Sequence, residues 1–425
     1  MEIQPLPEHR NRKIAIIGAG PSGIFIAKFL SSYGFTNITM YGNTSANQAT
    51  SIMARNGIKY DIGTCHTHAG YSNSIIKMAK LKDMAVAQML IDGELEDAKE
   101  PNLETKLRIA IFCAHSAIFK IFNEYNVTNN LYAIDFESYL GSNFIIDTLK
   151  DNRVFTFGSN GQGYGYLDEV TAKKAFNWFK PSIFGADLKM VEGTYASFFD
   201  GLYKNLKINK IIDNVTTDEL GTIQREFDDV FVCCDPRQFN YFDKFNADKY
   251  IEHAHVISFL FESETLIPNL NHRFYDNEKI KNKEKDVVIT IRMNDSYEKD
   301  SKKYYIYWAF GYASGNEKNL EHKVISQLET EYKLLNIHVL YFNVFEYNVR
   351  FNAAAIKNGM DRTINGECQR DNVYLAGGLM SHWDVDSIYE HSKKLTTEYC
   401  QKYSSFFGQV KCILRKEKLF WLESW

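Results

Sequence analysis

The strongest constraint on the fold is the segment Lys13–Gly23, with the sequence KIAIIGAGPSG. Its apolar residues Ile14–Ile17 predict a buried parallel strand, and three glycines follow at the spacing GxGxxG. Residues 24–30 continue as an apolar-rich helix, for which Gly34 is a suitable stop. A strand, a glycine turn and a helix in this order predict a Rossmann-type dinucleotide-binding unit.

Each glycine of this turn has a separate expected role. Gly18 permits the tight turn, Gly20 lets a pyrophosphate approach the backbone, and Gly23 lets the helix pack closely on the strand. The first helical turn, with Pro21 and Ser22, offers N–H groups and a positive dipole end to phosphates. The sequence therefore predicts an adenine-dinucleotide site. The alternative is the same unit without a ligand.

The second predicted strand, residues 37–41, lacks the acidic residue that normally follows it and binds the ribose hydroxyls. Gly42 stands at that position, and Asn43 comes next as a neutral hydrogen-bonding partner. A carboxylate in such a site contributes charge-assisted hydrogen bonds of about 1.5–3 kcal/mol each. On the sequence alone, Gly42→Glu is therefore expected to tighten dinucleotide binding.

The composition of the chain limits which classes of protein it can belong to. The chain has 425 residues, 45% of them hydrophobic and 24% charged, which predicts a large core and two domains. A net charge of −4 argues against a nucleic-acid partner. There is no apolar run of about 18 residues, and the polar start lacks a signal-peptide core, so neither an integral membrane segment nor secretion is expected. The seven cysteines lack CxxC spacing, which predicts reduced thiols and a cytoplasmic location.

Three separated segments predict one discontinuous cofactor-binding domain of residues 12–84, 187–245 and 366–404. The intervening residues 85–186 and 246–365 form the predicted substrate domain. This layout is typical of two-domain flavoprotein oxidoreductases. It predicts an α/β fold in which a Rossmann-type domain is interrupted by a domain of helices and antiparallel sheet.

The two insertions differ in their patterns. Residues 85–185 have helical periodicity and many aromatic residues. Strands are predicted at His255–Phe261, Asp286–Met293, Tyr304–Phe310 and Ile337–Phe345. Residues 405–425 form a basic and aromatic tail, expected to pack on the body or on a partner subunit, or alternatively to lie on a membrane interface.

With these segments placed, the chain resembles flavin-containing amine oxidase-type proteins, and more closely the bacterial FAD-dependent polyunsaturated fatty acid isomerases. The resemblance extends from Ile14 to about Tyr403. Besides the GAGPSG turn, it rests on four motifs and on Asp386, Ser392 and Lys393. The motifs are Tyr60–Gly63, Gly163–Val170, Glu192–Thr194 and Asn372–Ser381.

The resemblance implies FAD as cofactor, held in an extended conformation with its adenine half over Gly18–Gly23. It implies that the isoalloxazine ring lies near residues 378–388, with Gly377 and Gly378 in the preceding turn. The last helix would direct its N-terminus, at Asp384, Val385 and Asp386, toward the flavin N1–C2=O edge. Backbone groups at Ile212 would contact the adenine.

Three positions depart from the family pattern. Gly42 replaces an acidic residue, Gly378 replaces another, and residues 46–50 replace a Gly-Gly-basic stretch that contacts the pyrophosphate. Arg55 is a candidate substitute for that basic contact, or alternatively a solvated surface arginine. Together the departures leave three possibilities: weak FAD binding, an altered binding mode, or a flavin-free descendant.

Several residues are candidates for the substrate or flavin edge. They are His66, Tyr164, Tyr166, His382 and Trp383. The motif Cys65–His68 has no second Cys/His cluster to complete four ligands, so no metal is predicted. His253 and His255 are expected to be structural.

The sequence thus predicts an FAD-dependent oxidoreductase or isomerase that acts on a small, hydrophobic, unsaturated molecule by hydride transfer to and from flavin N5. Its 30 Phe and 26 Tyr suit an apolar channel, although most of these rings are expected in the core. An isomerase of this kind needs no protein acid or base, and no catalytic residue is identified. The alternatives are a flavin-dependent amine oxidase or desaturase of a natural-product intermediate, and a flavin-free binding or scaffold protein.

Overall fold

The computed structural model describes most of the chain, in fifteen segments. These are residues 4–43, 51–63, 66–68, 78–83, 87–91, 94–97, 102–124, 133–142, 146–147, 165–178, 188–270, 272–276, 282–315, 318–381 and 384–404.

The strands of these segments are numbered along the chain. They are β1 Ile14–Ile17, β2 Ile38–Tyr41, β3 Ser51–Met53, β4 Lys59–Asp61, β5 His66–His68, β6 Leu81–Asp83, β7 Ala87–Ile91, β8 Glu94–Asp97, β9 Leu188–Val191, β10 Asn209–Ile211, β11 Asp229–Val232, β12 Ile251–Ser263, β13 His272–Asp276, β14 Val287–Lys299, β15 Lys302–Tyr312, β16 His338–Phe351 and β17 Val373–Leu375.

The α-helices are numbered in the same way. They are α1 Pro21–Tyr33, α2 Leu103–Glu124, α3 Phe136–Gly141, α4 Ala172–Trp178, α5 Tyr195–Asn205, α6 Glu219–Glu226, α7 Ala247–Tyr250, α8 Leu320–Tyr332, α9 Ala353–Lys357, α10 Met360–Arg370 and α11 Val385–Lys402.

A parallel sheet with the strand order β10-β2-β1-β11-β17 forms the first layer. Its central strands are buried on both faces, which explains their continuous apolar runs. One face packs on α1 and α11, where Phe25 and Tyr389 make an edge contact at 5.2 Å between ring centroids. The other face packs on α6 and α10 through Ile223 and Ile364. The three predicted segments therefore do contribute to one sheet.

The segment Ile58–Gly63, although it lies within the predicted cofactor-domain segment 12–84, does not join this parallel sheet. Lys59–Asp61 pairs antiparallel with Ser51–Met53 in a separate hairpin. This hairpin contacts strand β14 instead, where the hydroxyl of Tyr60 donates a hydrogen bond to the carboxylate of Asp295 at 2.7 Å.

A second sheet has the order β16-β12-β15-β14-β13-β7-β8 and supplies the largest core cluster. All four strands predicted between residues 250 and 350 belong to it. Its pairs are antiparallel except β13 with β7, which is parallel. One face is covered by α8, where the Gln327 side chain bonds both backbone groups of Val288. The helix α8 was not predicted.

The prediction of helices throughout residues 85–185 is wrong at its beginning. Residues 87–91 and 94–97 are short strands that extend the second sheet. Four- and five-residue strands are too short to show a clear period, so the helical pattern farther along dominated the prediction. The later part does contain helices α2, α3 and α4, which meet at Phe112, Phe136 and Phe176 with ring centroids 5.3–6.0 Å apart.

Among the described residues, no helix is long and apolar enough to cross a membrane. The tail at 405–425 lies outside the described residues, and the proposed domain boundaries stay predictions.

Candidate functional site

The glycine turn after β1 is built by close backbone packing. Gly18 has φ +107°, and a Cβ atom there would lie 3.3 Å from the carbonyl carbon of Cys233. A Cβ atom on Gly23 would lie 1.9 Å from the carbonyl oxygen of Gly18, closer than any side chain permits. The first and third glycines therefore meet the steric demands that the sequence assigned to them.

Helix α1 presents its N-terminus at this turn. Gly20 is the N-cap residue, Pro21 is the first helical residue, and no side chain caps the helix. By contrast, Thr194 caps α5 by accepting a hydrogen bond from the backbone N–H of Ser197. An uncapped first turn leaves N–H groups and the positive dipole end for a ligand. The arrangement fits a pyrophosphate.

Position 42, where an acidic residue was expected, has no room for a side chain. Gly42 has φ +129°, and a Cβ atom there would lie 2.9 Å from the backbone nitrogen of Ala19, inside the glycine turn. A glutamate at position 42 would be strained in its backbone and would push on the turn. The structure thus opposes the expectation that Gly42→Glu tightens binding. Asn43, the next residue, is exposed.

Two further cofactor candidates have different surroundings. Ile212 directly follows β10 at the edge of the parallel sheet and is 70% exposed, an unusual exposure for a large apolar residue. Arg55 instead pairs with Glu262 of strand β12 at 3.0 Å. That ion pair joins Arg55 to the second sheet, so a pyrophosphate contact would require the pair to break.

The glycines after β17 form a tight turn that is pinned by a buried lysine. Gly377 has φ +79°, and its carbonyl oxygen accepts hydrogen bonds from the backbone N–H and the hydroxyl of Ser381. The Lys174 amine, on α4, donates to the carbonyl oxygens of Gly378 and Ser381, both at 2.6 Å. Helix α4 of the helical region thus fixes the turn that the resemblance places beside the flavin.

Burial lowers the pKa of Lys174 to about 7, with the positive charge of Arg350 adding to the effect and Asp384 opposing it. A buried amine with this pKa is a group often found at functional sites. The sequence analysis missed it. The only available signal was a lysine pair, Lys173 and Lys174, within an apolar helix, and the pair does not reveal which amine is buried.

The N-terminus of α11 is capped by its own chain. The carboxylate of Asp384 accepts a hydrogen bond from the backbone N–H of Ser387 at 2.7 Å. Val385 and Asp386 are buried, with 6% and 3% of their surfaces exposed. The cap uses one of the N–H groups at this end of the helix, which leaves fewer for a flavin carbonyl.

The candidates for the substrate edge are only partly described. Tyr166 is buried in the core of the second sheet, where its hydroxyl donates to the carbonyl oxygen of Glu284 at 2.7 Å and its ring contacts Tyr312. Its hydroxyl is therefore already engaged. Tyr164, His382 and Trp383 lie outside the described residues, as does the side chain of His66.

One cluster of the described residues has the spacing of metal ligands. Potential ligand atoms of His253, His255 and Glu346 lie within 4.8 Å of one another. However, the guanidinium of Arg237 lies 2.9 Å from Nδ1 of His253 and also pairs with Glu346. Donation to Nδ1 leaves the proton of a neutral His253 on Nε2, where a metal would bind. The arginine thus competes with a cation for this cluster.

Comparison with solved structures identifies the fold. The structure superposes on that of a CLA-producing fatty acid isomerase from P. acnes with a TM-score of 0.68 at 16% identity, over 92% of this chain and 99% of that one. It superposes on putrescine oxidase bound to putrescine with a TM-score of 0.60 at 11% identity, over 92% and 99%. Reduced UDP-galactopyranose mutase gives 0.60 at 13% identity, over 92% and 93%.

No protein-family model matches the chain, and no curated protein matches its sequence. The structural similarity nonetheless spans nearly the whole chain. The fold is the amine-oxidase-like α/β fold, which confirms the predicted fold class and, at the level of fold, the predicted resemblance.

Proposed function

We propose that this chain binds FAD and acts as a flavin-dependent oxidoreductase or isomerase. The observation that carries the proposal is the glycine cradle at the uncapped end of α1, in which Gly18 and Gly377 lie against the backbone of Cys233 and Gly23 packs on the carbonyl group of Gly18. A side chain at these positions would clash or be strained, as expected where a backbone must approach a pyrophosphate.

The proposed cofactor contacts divide into two ends. The adenine and pyrophosphate end consists of Gly18, Gly20, Pro21, Ser22, Gly23, Asn43 and Ile212. The flavin end consists of Gly377, Gly378, Val385 and Asp386, with Lys174 holding the turn between them in place. Arg55 joins the first set only if it leaves Glu262.

The proposed substrate is a small, hydrophobic, unsaturated molecule. The resemblance in sequence and the similarity in fold to a fatty acid isomerase both support this class. Bound FAD would accept a hydride at N5 and return it. The chain's own contribution would be to orient the substrate and to exclude water, for which the aromatic clusters of the helices and the second sheet are suited.

A visible absorption spectrum of the purified protein tests the cofactor. Absorption bands near ~370 and ~450 nm, together with the release of FAD when the protein is denatured, would support the proposal. A protein that stays colourless after incubation with excess FAD would contradict it.

The closed position at Gly42 and the Asp384 cap favour a second candidate, a flavin-free binding protein with this fold. The same spectrum distinguishes the two. Within the enzyme class, peroxide formed from an amine or alcohol would indicate an oxidase.

A further inference from the structure

Helix α2 carries a row of apolar residues on the side that faces away from the core. The row consists of Leu103, Leu107, Ala110, Ala114 and Ile118, which lie within an arc of about 80° on a helix that turns about 100° per residue. All five residues are exposed, the two leucines by 83% and 62% and the isoleucine by 48%. We call these five residues the outer stripe.

The opposite side of α2 already holds the helix on the molecule. Ile109, Phe112 and Ser116 are buried there, and Phe112 contacts the rings of Phe136 in α3 and Phe176 in α4. The outer stripe is not part of this packing. Single exposed apolar residues are ordinary, whereas a contiguous row of them marks an interaction surface.

The order of large and small side chains in the outer stripe is complementary to itself. When two copies of α2 pack antiparallel about a twofold axis between Ala110 and Ile111, Leu107 lies opposite Ala114 of the second copy, and Leu103 lies opposite Ile118. A large side chain then meets a small one near the axis, where the helices are closest. Two large side chains meet farther out, where crossing helices diverge.

The charged residues beside the stripe are compatible with this arrangement. Glu104 and Arg108 form an ion pair at 2.8 Å on one flank and neutralise each other. On the other flank, antiparallel packing places Lys106 at the level of Cys113 and Ala117 of the second copy, which carry no like charge. The dipoles of antiparallel helices also attract each other. An anionic lipid surface would instead favour a cluster of Lys and Arg along the stripe.

We propose that the outer stripe of α2 is a homodimer interface, packed antiparallel on the same stripe of a second copy of this chain. An interface about a twofold axis must be complementary to itself, and the outer stripe meets this condition in size and in charge. One pair of helices buries less than the roughly 1,200–2,000 Å² of a stable interface. We therefore expect a dimer that dissociates on dilution.

Sedimentation velocity on the full chain at about 1–100 μM tests the proposal, and a monomer–dimer equilibrium is the expected result. Leu107→Glu brings a carboxylate into the interface twice per dimer and should weaken dimerisation at least about a hundredfold. Leu335→Glu is the matched control, because it makes the same change at a leucine that is 67% exposed and lies outside the stripe. It should leave the dimer unchanged.

Two cysteine variants test the position of the axis. Ala110→Cys places a thiol beside the axis, so diamide oxidation should join the two copies by a disulfide. Ala117→Cys is the control, because it lies two turns away on the same side of α2, where the two thiols would be about 20 Å apart. A non-reducing gel should show a covalent dimer for Ala110→Cys and only the background of the wild type for Ala117→Cys.

A wild type that stays monomeric throughout this range would overturn the interface. A dimer that persists in Leu107→Glu, or equal cross-linking of the two cysteine variants, would overturn it as well. The same samples are sedimented with phosphatidylcholine vesicles. A monomer that binds the vesicles, and loses this binding in Leu107→Glu, would assign the outer stripe to a lipid surface and refute the dimer.

Discussion

The amine of Lys174 lies 2.6 Å from the carbonyl oxygen of Gly378 and thus joins helix α4 to the turn that follows β17 of the parallel sheet. Because the amine also binds Ser381, one side chain holds both ends of a four-residue turn. The turn follows β17 directly, so its geometry depends on a helix about two hundred residues earlier in the chain.

This contact predicts a pH dependence. The pKa of Lys174 falls from 10.5 in the unfolded chain to about 7 in the folded one, so between these values the unfolded chain binds more protons. The free energy of unfolding should therefore rise with pH across this window because of Lys174, by up to about 1.4 kcal/mol per pH unit. Urea unfolding at several pH values measures this slope. Lys174→Met should reduce it, and an unchanged slope would show that another group titrates.

The steric role of Gly23 is testable without a ligand. Gly23→Ala brings a methyl group against the Gly18 carbonyl and should lower the free energy of unfolding by about 1–3 kcal/mol. Gly201→Ala, inside α5 with open space around its Cβ position, is the control and should raise stability by about 0.5–1 kcal/mol. Equal effects of both changes would contradict the packing described for the turn.

A side chain at position 20 is expected to prevent FAD binding without preventing folding. Gly20→Val places a side chain in the path of the pyrophosphate, so we expect a folded protein without FAD. Circular dichroism checks the fold, and the ratio of absorbance at 450 to 280 nm gives the flavin content. Full flavin content in this variant would show that the phosphates bind elsewhere.

Variants at positions 42 and 43 are expected to have opposite effects on the affinity for FAD. Gly42→Glu should weaken FAD binding because its Cβ atom would press on Ala19. Asn43→Asp adds a carboxylate at an exposed position and should tighten binding by about tenfold if Asn43 contacts the ribose. Quenching of FAD fluorescence by the apoprotein gives both dissociation constants. Tighter binding by Gly42→Glu would mean that the turn can move aside.

Turnover by an isomerase should be redox-neutral. Anaerobic incubation of the flavin-loaded protein with linoleate should produce conjugated-diene absorbance and leave the flavin oxidised after each cycle, with no peroxide in air. Stoichiometric peroxide would assign the chain to the oxidases instead.

The sequence predicted the parallel sheet well because Ile14–Ile17 and the glycines after it combine a buried strand with a steric pattern that few other structures need. It failed for residues 87–97, whose short strands lack a readable period. Lys174 was missed for a different reason. Whether a charged side chain points outward or inward depends on the tertiary packing of distant segments, which local periodicity does not contain.

The order of strands in the parallel sheet has a consequence for biosynthesis. Strand β17 pairs with β11 and closes one side of the sheet, yet it follows the entire second sheet in the chain. During translation, β1 and β2 are synthesised before β17, so the parallel sheet stays incomplete until β17 has left the ribosome. Gly18 and Gly377 meet around Cys233 only then. A cofactor that binds at this cradle would therefore find it complete only after β17 has been synthesised.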